Sequence, residues 1–352
     1  MKIFECQNCN NLLYFENIRC ERCQFDLGFL PASLTLSALK KEGEGFIALA
    51  DPNTMYRYCK NAEYQSCNWL VPHEFTDELC IACQHNRTIP DLSITLNLTR
   101  WQKIEIAKHR LFYTLFNLKL LNPNLNLKSG GPEFDFLADS PDSTNKVMTG
   151  HDNGLITLRL AEADDAEREK LRQDMDEVYR TLLGHFRHEV GHFYWDKLVR
   201  DRGNLDSCRA LFGDDRQDYS ESLNRHYSNG APANWQNEFI STYASSHPWE
   251  DFAETWAHYL HIVDTLEIAR SFGLQIEPKV AVNETLSTEI NFDPHQAQTS
   301  KKIINTWLPL TFAINSINRS MGQKDLYPFV LSPKVIEKFD YIHNLIQSNE
   351  YT

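Results

Sequence analysis

Eight of the nine cysteines in this chain fall before residue 84, and only Cys208 stands apart. Cys6-Gln-Asn-Cys9 and Cys20-Glu-Arg-Cys23 are two CxxC pairs with ten residues between them. A CxxC turn sets two thiolates on one side of a tight knuckle, and two knuckles complete a tetrahedral site. A second set follows, Cys59, Cys67 and Cys80-Ile-Ala-Cys83, with one CxxC and two looser partners. Spacing leaves an exchange of partners between the sets open. The start, MKIFECQNC, lacks the apolar stretch of an export signal, and clustered cysteines in a reducing compartment are metal ligands rather than disulfides. Residues 1–90 are therefore expected to form a zinc-ribbon region with two four-cysteine sites. Structural zinc is the main reading and a rubredoxin-like iron in the first set the alternative. A segment this polar gains folding energy directly from its metal. Cys208 reads as a small buried hydrophobe.

The composition shifts near Pro90, where the cysteines stop. Residues 91–352 are expected to form a second, mostly helical domain with a small sheet, making the chain α+β overall. An amphipathic pattern predicts a helix over Thr99–Leu121 with Thr99 as its cap. Turn-rich stretches follow at 122–134 and 139–154, then a β-forming run, Gly154–Leu160. One long helix is expected from about Asp164 to Arg200, bent near Gly184, with acids in its first turns and bases in its last. Another begins at Pro248, and two more cover about Thr299–Ser320 and Ser332–Gln347. The net charge is −13, with most of the excess acid after residue 90. Phosphate contacts need a basic face, so no nucleic-acid partner is expected. No run of about 18 apolar residues occurs, so a membrane span is not expected and a cytoplasmic location is. Oligomeric state has no handle in the sequence.

Within the long helix lies His188-Glu-Val-Gly-His192. Residues four apart share a helix face, so His188 and His192 can grip one ion with Glu189 beside them. Zinc on two imidazoles and a carboxylate keeps a position for water and lowers that water's pKa to roughly 7. Glu189 would take the proton and deliver it to the leaving amine. Alone, HExxH arises by chance in about one chain in a hundred of this length. The third ligand therefore decides. Downstream, HPWEDFAETWAHYLH puts Glu250 and Glu254 on one face of an otherwise apolar helix, near Phe252, Trp256 and Leu260. Two carboxylates there are costly without positive partners. A metal supplies one, and a bond to a ligating histidine the other. Gly191 weakens a helix interior by close to 1 kcal/mol, an odd choice unless something packs tightly against it. His185 is a possible competing ligand. The roles of His247, His258 and His261 stay open.

HEVGH followed by a helix carrying EDFAE resembles the gluzincin metallopeptidases. The closer resemblance is to a bacterial family of zinc-binding metallopeptidases with a zinc-ribbon region before a zincin-like catalytic domain. GLITLRLAEADDAERE, HFRHEVGHFYW and HPWEDFAETWAHYLH are similar to that family's hallmark blocks, and the resemblance covers essentially the whole chain. It implies one catalytic zinc on His188, His192 and Glu250, with Glu189 as general base and acid. The EDFAE block is also similar to the catalytic helix of anthrax lethal factor, where a tyrosine seven residues before the glutamate ligand helps hold the oxyanion. Tyr243 stands seven before Glu250. The resemblance also implies that substrate backbone adds as a strand beside Gly154–Leu160.

The leading expectation is thus a zinc peptidase acting on a protein or peptide, with one catalytic and two structural zinc ions. The alternative is a zinc-ribbon binding or regulatory module whose peptidase-like domain is idle or weakly active. A di-iron bundle needs a second Glu-x-x-His, and Glu254-x-x-x-His258 is one residue too long.

Overall fold

The computed structural model describes residues 2–124, 130–140, 146–174, 178, 180–280 and 284–349. The chain forms two compact units, Met1–Leu171 and Arg172–Thr352. Parts of the expected turn-rich stretches (125–129 and 141–145) and of the expected long helix (175–177 and 179) lie outside the described residues.

In the first unit a small hairpin, β1 (Phe4–Glu5) and β2 (Leu12–Leu13), carries the first cysteine knuckle. A five-stranded antiparallel meander follows, β3 (Asp26–Leu30), β4 (Thr35–Glu42), β5 (Gly45–Ala48), β6 (Asp51–Tyr58) and β7 (Leu70–Pro72). Its buried face packs Leu30, Leu39, Ala48, Tyr56 and Leu70 together. A short helix, α1 (Ile81–Gln84), leads to β8 (Asn86–Thr88) and then α2 (Thr95–Asn117). Strands β9 (Glu133–Leu137), β10 (Gly150–Asp152) and β11 (Leu155–Arg159) complete a mixed sheet in the order β10-β11-β9-β8. An aromatic cluster ties α2 to the meander: Phe15, Phe29, Trp69 and Tyr113 have neighbouring rings 4.8–6.4 Å apart. Such edge-on and tilted pairs add to the area they bury.

Two local expectations need correction here. The helix starts at Thr95, not Thr99, and the Thr99 hydroxyl donates to the Thr95 carbonyl inside the first turns. The expected long helix over 164–200 is at least two: α3 (Asp165–Asp174) and α4 (Leu182–Tyr194). The second has its own start, since the Thr181 hydroxyl accepts from the Gly184 N–H at 3.0 Å. Gly184 is thus a first-turn residue served by a cap and not a bend. Past Tyr194 the chain continues in π-helical turns, Trp195–Arg200.

The second unit is helical around α7 (Pro248–Ser271), which is buried on nearly every side. Such a helix is a core element rather than an amphipathic surface one. Around it lie α4, α5 (Leu205–Phe212), α6 (Tyr219–Asn229), α8 (Ser300–Ser320) and α9 (Pro333–Gln347). Asp218, His247, Thr299 and Ser332 cap α6, α7, α8 and α9 by accepting backbone N–H groups. Tyr194 stacks on Trp256 across the α4–α7 contact, with ring centroids 5.0 Å apart. Cys208 is buried on α5, as a small core residue. The chain is therefore α+β, a cysteine-clustered ribbon start followed by a mostly helical body with small sheets. No described helix is long and apolar enough to cross a membrane.

A buried ion pair pins α9 to α7. Lys338 Nζ lies 2.6 Å from Asp251 Oδ2 and also donates to the Glu238 carbonyl. Burial pushes the Asp251 carboxyl up to about 7 despite the ammonium beside it. Removing one partner of such a pair strands a buried charge, at a cost of roughly 3–5 kcal/mol. Lys338→Met is expected to lower the urea-unfolding free energy by about that much. Adding Asp251→Leu to it should recover most of the loss.

Candidate metal centre

The HEVGH helix α4 crosses α7 at a point fixed by two small residues. A Cβ built on Gly191 would sit 2.9 Å from Ala253 Cα and 3.2 Å from the Ala253 carbonyl oxygen. Only glycine allows this approach, which accounts for its place inside the helix. Within one turn of the crossing, the polar residues of the two helices meet. His188 Nε2 lies 2.9 Å from Glu250 Oε2 and 3.2 Å from His192 Nε2, and His192 Nε2 lies 3.4 Å from Glu250 Oε2. All three residues are buried. Gly191→Ala is expected to push the helices apart, lowering stability by about 1–3 kcal/mol as overpacked cores do. It should loosen metal retention at the same time, read by thermal unfolding and by zinc release to a chelator.

The partners behind these atoms aim them. His188 Nδ1 is 2.7 Å from Glu254 Oε1, and Ser241 Oγ donates to Glu254 Oε2 at 2.7 Å. A carboxylate accepts, so the proton of a neutral His188 sits on Nδ1 and its Nε2 lone pair points to the centre. Tyr219, the first residue of α6, donates its hydroxyl to Glu250 Oε1 at 2.6 Å. That leaves Glu250 Oε2, buried and without a hydrogen-bond donor, facing the two imidazoles. Tyr219→Phe is expected to weaken metal affinity about 10–100-fold, the usual effect of removing an outer partner of a ligand. Equilibrium dialysis against zinc buffers would measure it.

The electrostatics call for a cation. Burial lowers the pKa of His188, but the Glu250 and Glu254 carboxylates outweigh it and hold the group well above the ordinary histidine range. Burial likewise opposes ionisation of Glu254, yet His188, with His258 and Ser241, holds its carboxyl at about 2. Glu250 is kept well below the usual carboxylate range by His192 and His188 in spite of burial. A buried carboxylate and a partly buried one thus converge on two imidazoles whose Nε2 atoms face one another. A positive ion between them turns that repulsion into attraction. Zinc bonds of about 2.0–2.1 Å in a tetrahedron set ligand atoms about 3.3 Å apart. The observed edges of 2.9, 3.2 and 3.4 Å fit that set.

The other residues singled out from the sequence fall around this cluster or away from it. Glu189 follows His188 on α4 and is buried, with His185 Nε2 3.8 Å from its Oε1. The Tyr243 ring is 5.9 Å from the His188 imidazole, and burial beside Glu250 holds its hydroxyl protonated. His247 accepts the Trp249 N–H at the head of α7, and His258 Nδ1 lies 2.9 Å from the Tyr327 hydroxyl. His261 contacts Arg187, which also pairs with Asp264. None of His185, His247, His258 and His261 joins the His188–His192–Glu250 group. Tyr219 and Ser241 were not singled out from the sequence. A tyrosine 31 residues before the carboxylate it serves carries no local signal.

The eight early cysteines form two clusters, Cys6 with Cys9, Cys20 and Cys23, and Cys59 with Cys67, Cys80 and Cys83. No partners are exchanged between them. Sulfur pairs stand 3.6–3.7 Å apart. That is too far for a disulfide and close to the edge of about 3.8 Å for a tetrahedron of 2.3 Å zinc–sulfur bonds. Asn10 and Gln24, just past each first-set CxxC, take left-handed backbone at φ 59° and 63°. Their N–H groups return to the Cys6 and Cys20 carbonyls, closing each knuckle.

With this geometry in place, comparison with known proteins is decisive for the family. Residues 97–345 match the family described as "Putative zinc-binding metallo-peptidase". The chain belongs to that family. Residues 3–94 match a zinc-ribbon domain. This zinc-binding metallopeptidase family member is 40% identical over 348 residues to uncharacterized proteins of Mycobacterium tuberculosis and Mycobacterium bovis, covering 98% of this chain and 95% of each relative. No solved structure matches it.

Proposed function

We propose that this chain is a gluzincin-type zinc peptidase that hydrolyses peptide bonds of a protein or peptide in the cytoplasm. His188, His192 and Glu250 hold one catalytic zinc, and the two cysteine clusters of residues 1–90 hold two structural ones. The observation that carries this reading is the triangle of His188 Nε2, His192 Nε2 and Glu250 Oε2, backed by Glu254 and Tyr219. A bound zinc would supply Lewis acidity at the scissile carbonyl and make the attacking water acidic. Glu189 takes the water's proton and passes it to the leaving amine, a general base and then a general acid. Tyr243 presents a protonated hydroxyl to the developing oxyanion, where a donor of this kind contributes a few kcal/mol. Glu254 and Ser241 hold the His188 ring in one tautomer, and Tyr219 holds Glu250 with a single oxygen inward. The acidic charge of the chain supports a polypeptide substrate over a nucleic acid.

The test compares cell proteomes by their new protein N-termini after expression of the wild-type chain or of Glu189→Gln. A set of new termini that appears only with the wild type supports the peptidase. Identical termini, with both forms recovering the same bound partner, would favour the binding-module reading.

A further inference from the structure

The second cysteine cluster holds a fifth donor, from a helix outside the ribbon. His109 on α2 places Nε2 3.3 Å from Cys67 Sγ, 3.6 Å from Cys83 Sγ and 4.0 Å from Cys80 Sγ. For zinc–sulfur bonds near 2.3 Å and zinc–nitrogen bonds near 2.05 Å, a tetrahedral edge between S and N is about 3.5 Å. The imidazole nitrogen thus sits where a vertex of the coordination shell would be. Its other nitrogen, Nδ1, lies 2.7 Å from the Glu105 carbonyl oxygen, which can only accept. The proton of a neutral His109 is therefore on Nδ1, and its Nε2 lone pair faces the sulfurs. Trp69 packs beside the ring, with centroids 4.9 Å apart, and fixes its plane. A lone pair aimed at thiolates is repulsive unless a cation stands between them.

We propose that His109 is a ligand of the second ribbon ion, making that site a mixed sulfur–nitrogen centre. A four-coordinate ion among five donors leaves one outside. Cys59 and Cys67 accept backbone N–H groups, as a ligating thiolate does, whereas Cys83 Sγ lies 3.6 Å from an acceptor, Glu105 Oε2, to which a thiol donates. Glu105 is itself paired with the buried Lys108 at 2.9 Å. Charge favours the exchange. Four thiolates around Zn²⁺ carry −2, whereas three thiolates and an imidazole carry −1, and Cys59, Cys80 and Cys83 are all buried. Burying the smaller net charge costs less. The ligand also ties α2 to the ribbon through the metal.

The test uses the full chain, labelled with ¹⁵N-histidine and loaded with ¹¹³Cd²⁺. Cadmium in a sulfur-rich site resonates far from cadmium held by two imidazoles and a carboxylate, so the measurement does not depend on the peptidase reading. One histidine Nε2 is expected to show scalar coupling to a cadmium in the sulfur-rich range, and His109→Gln should abolish that coupling. The wild-type spectrum decides even if that variant does not fold. A His109 Nε2 that carries a proton and has no coupling to cadmium would overturn the proposal.

Discussion

Glutamine in place of Glu189 is expected to lower kcat on a cleavable peptide by about 10²–10⁴-fold, the usual worth of a positioned acid–base group. Zinc content should stay at the wild-type level, because Glu189 is not one of the three residues of the candidate site. The substitution is close to isosteric, so the tight α4–α7 contact at Gly191 and Ala253 is kept. What is lost is the ability to accept a proton from water in a site that is otherwise complete. Peptide-library cleavage followed by mass spectrometry, beside metal analysis of both forms, measures the two quantities independently. An equally active Glu189→Gln chain would remove Glu189 from the mechanism.

Stripping the ribbon metals is expected to unfold the cysteine-bearing region. Apparent zinc-binding free energies of structural sites are about 10–16 kcal/mol at neutral pH in small zinc domains. That is as large as the whole stability of an ordinary domain, about 5–15 kcal/mol. The meander has a modest core, and its aromatic cluster with Tyr113 is continuous with the second cysteine site through Trp69 and His109. A strong chelator, or Cys80→Ser at a buried position, should therefore abolish the near-ultraviolet circular dichroism of these aromatic rings. It should also open the segment to protease. Restored zinc should reverse both effects of the chelator. A metal-free chain with native aromatic dichroism and unchanged protease resistance would contradict the structural role of the ions.

Much of the candidate centre was legible in the sequence, because a helix turns spacing into geometry. His188 and His192 are four apart, and Glu250 and Glu254 are four apart, so each pair shares a face before any tertiary contact is known. Gly191 signalled that something packs closely, and the partner is Ala253. Spacing suggested two sets of cysteines but left an exchange between them open, and the fold separates them. Other features depend on contacts between distant segments. Tyr219 reaches Glu250 only because the cap at Asp218 starts α6 where it does. His109 looks like any histidine on an amphipathic helix until the ribbon folds against it. The break between α3 and α4 was hidden by continuous helical periodicity, and the deciding group was one hydroxyl, that of Thr181. The five-stranded meander was obscured because its strands are partly exposed and lack a clean apolar–polar alternation, as in the 'DPNTMYRY' of β6.

Zinc-edge anomalous diffraction from crystals of the zinc-loaded chain tests the central claim most directly. The account predicts a single peak between α4 and α7, about 2.0–2.2 Å from His188 Nε2, His192 Nε2 and Glu250 Oε2. No peak at that point, or a peak with the Glu250 carboxylate turned away and no other acid or nitrogen in its place, would contradict it.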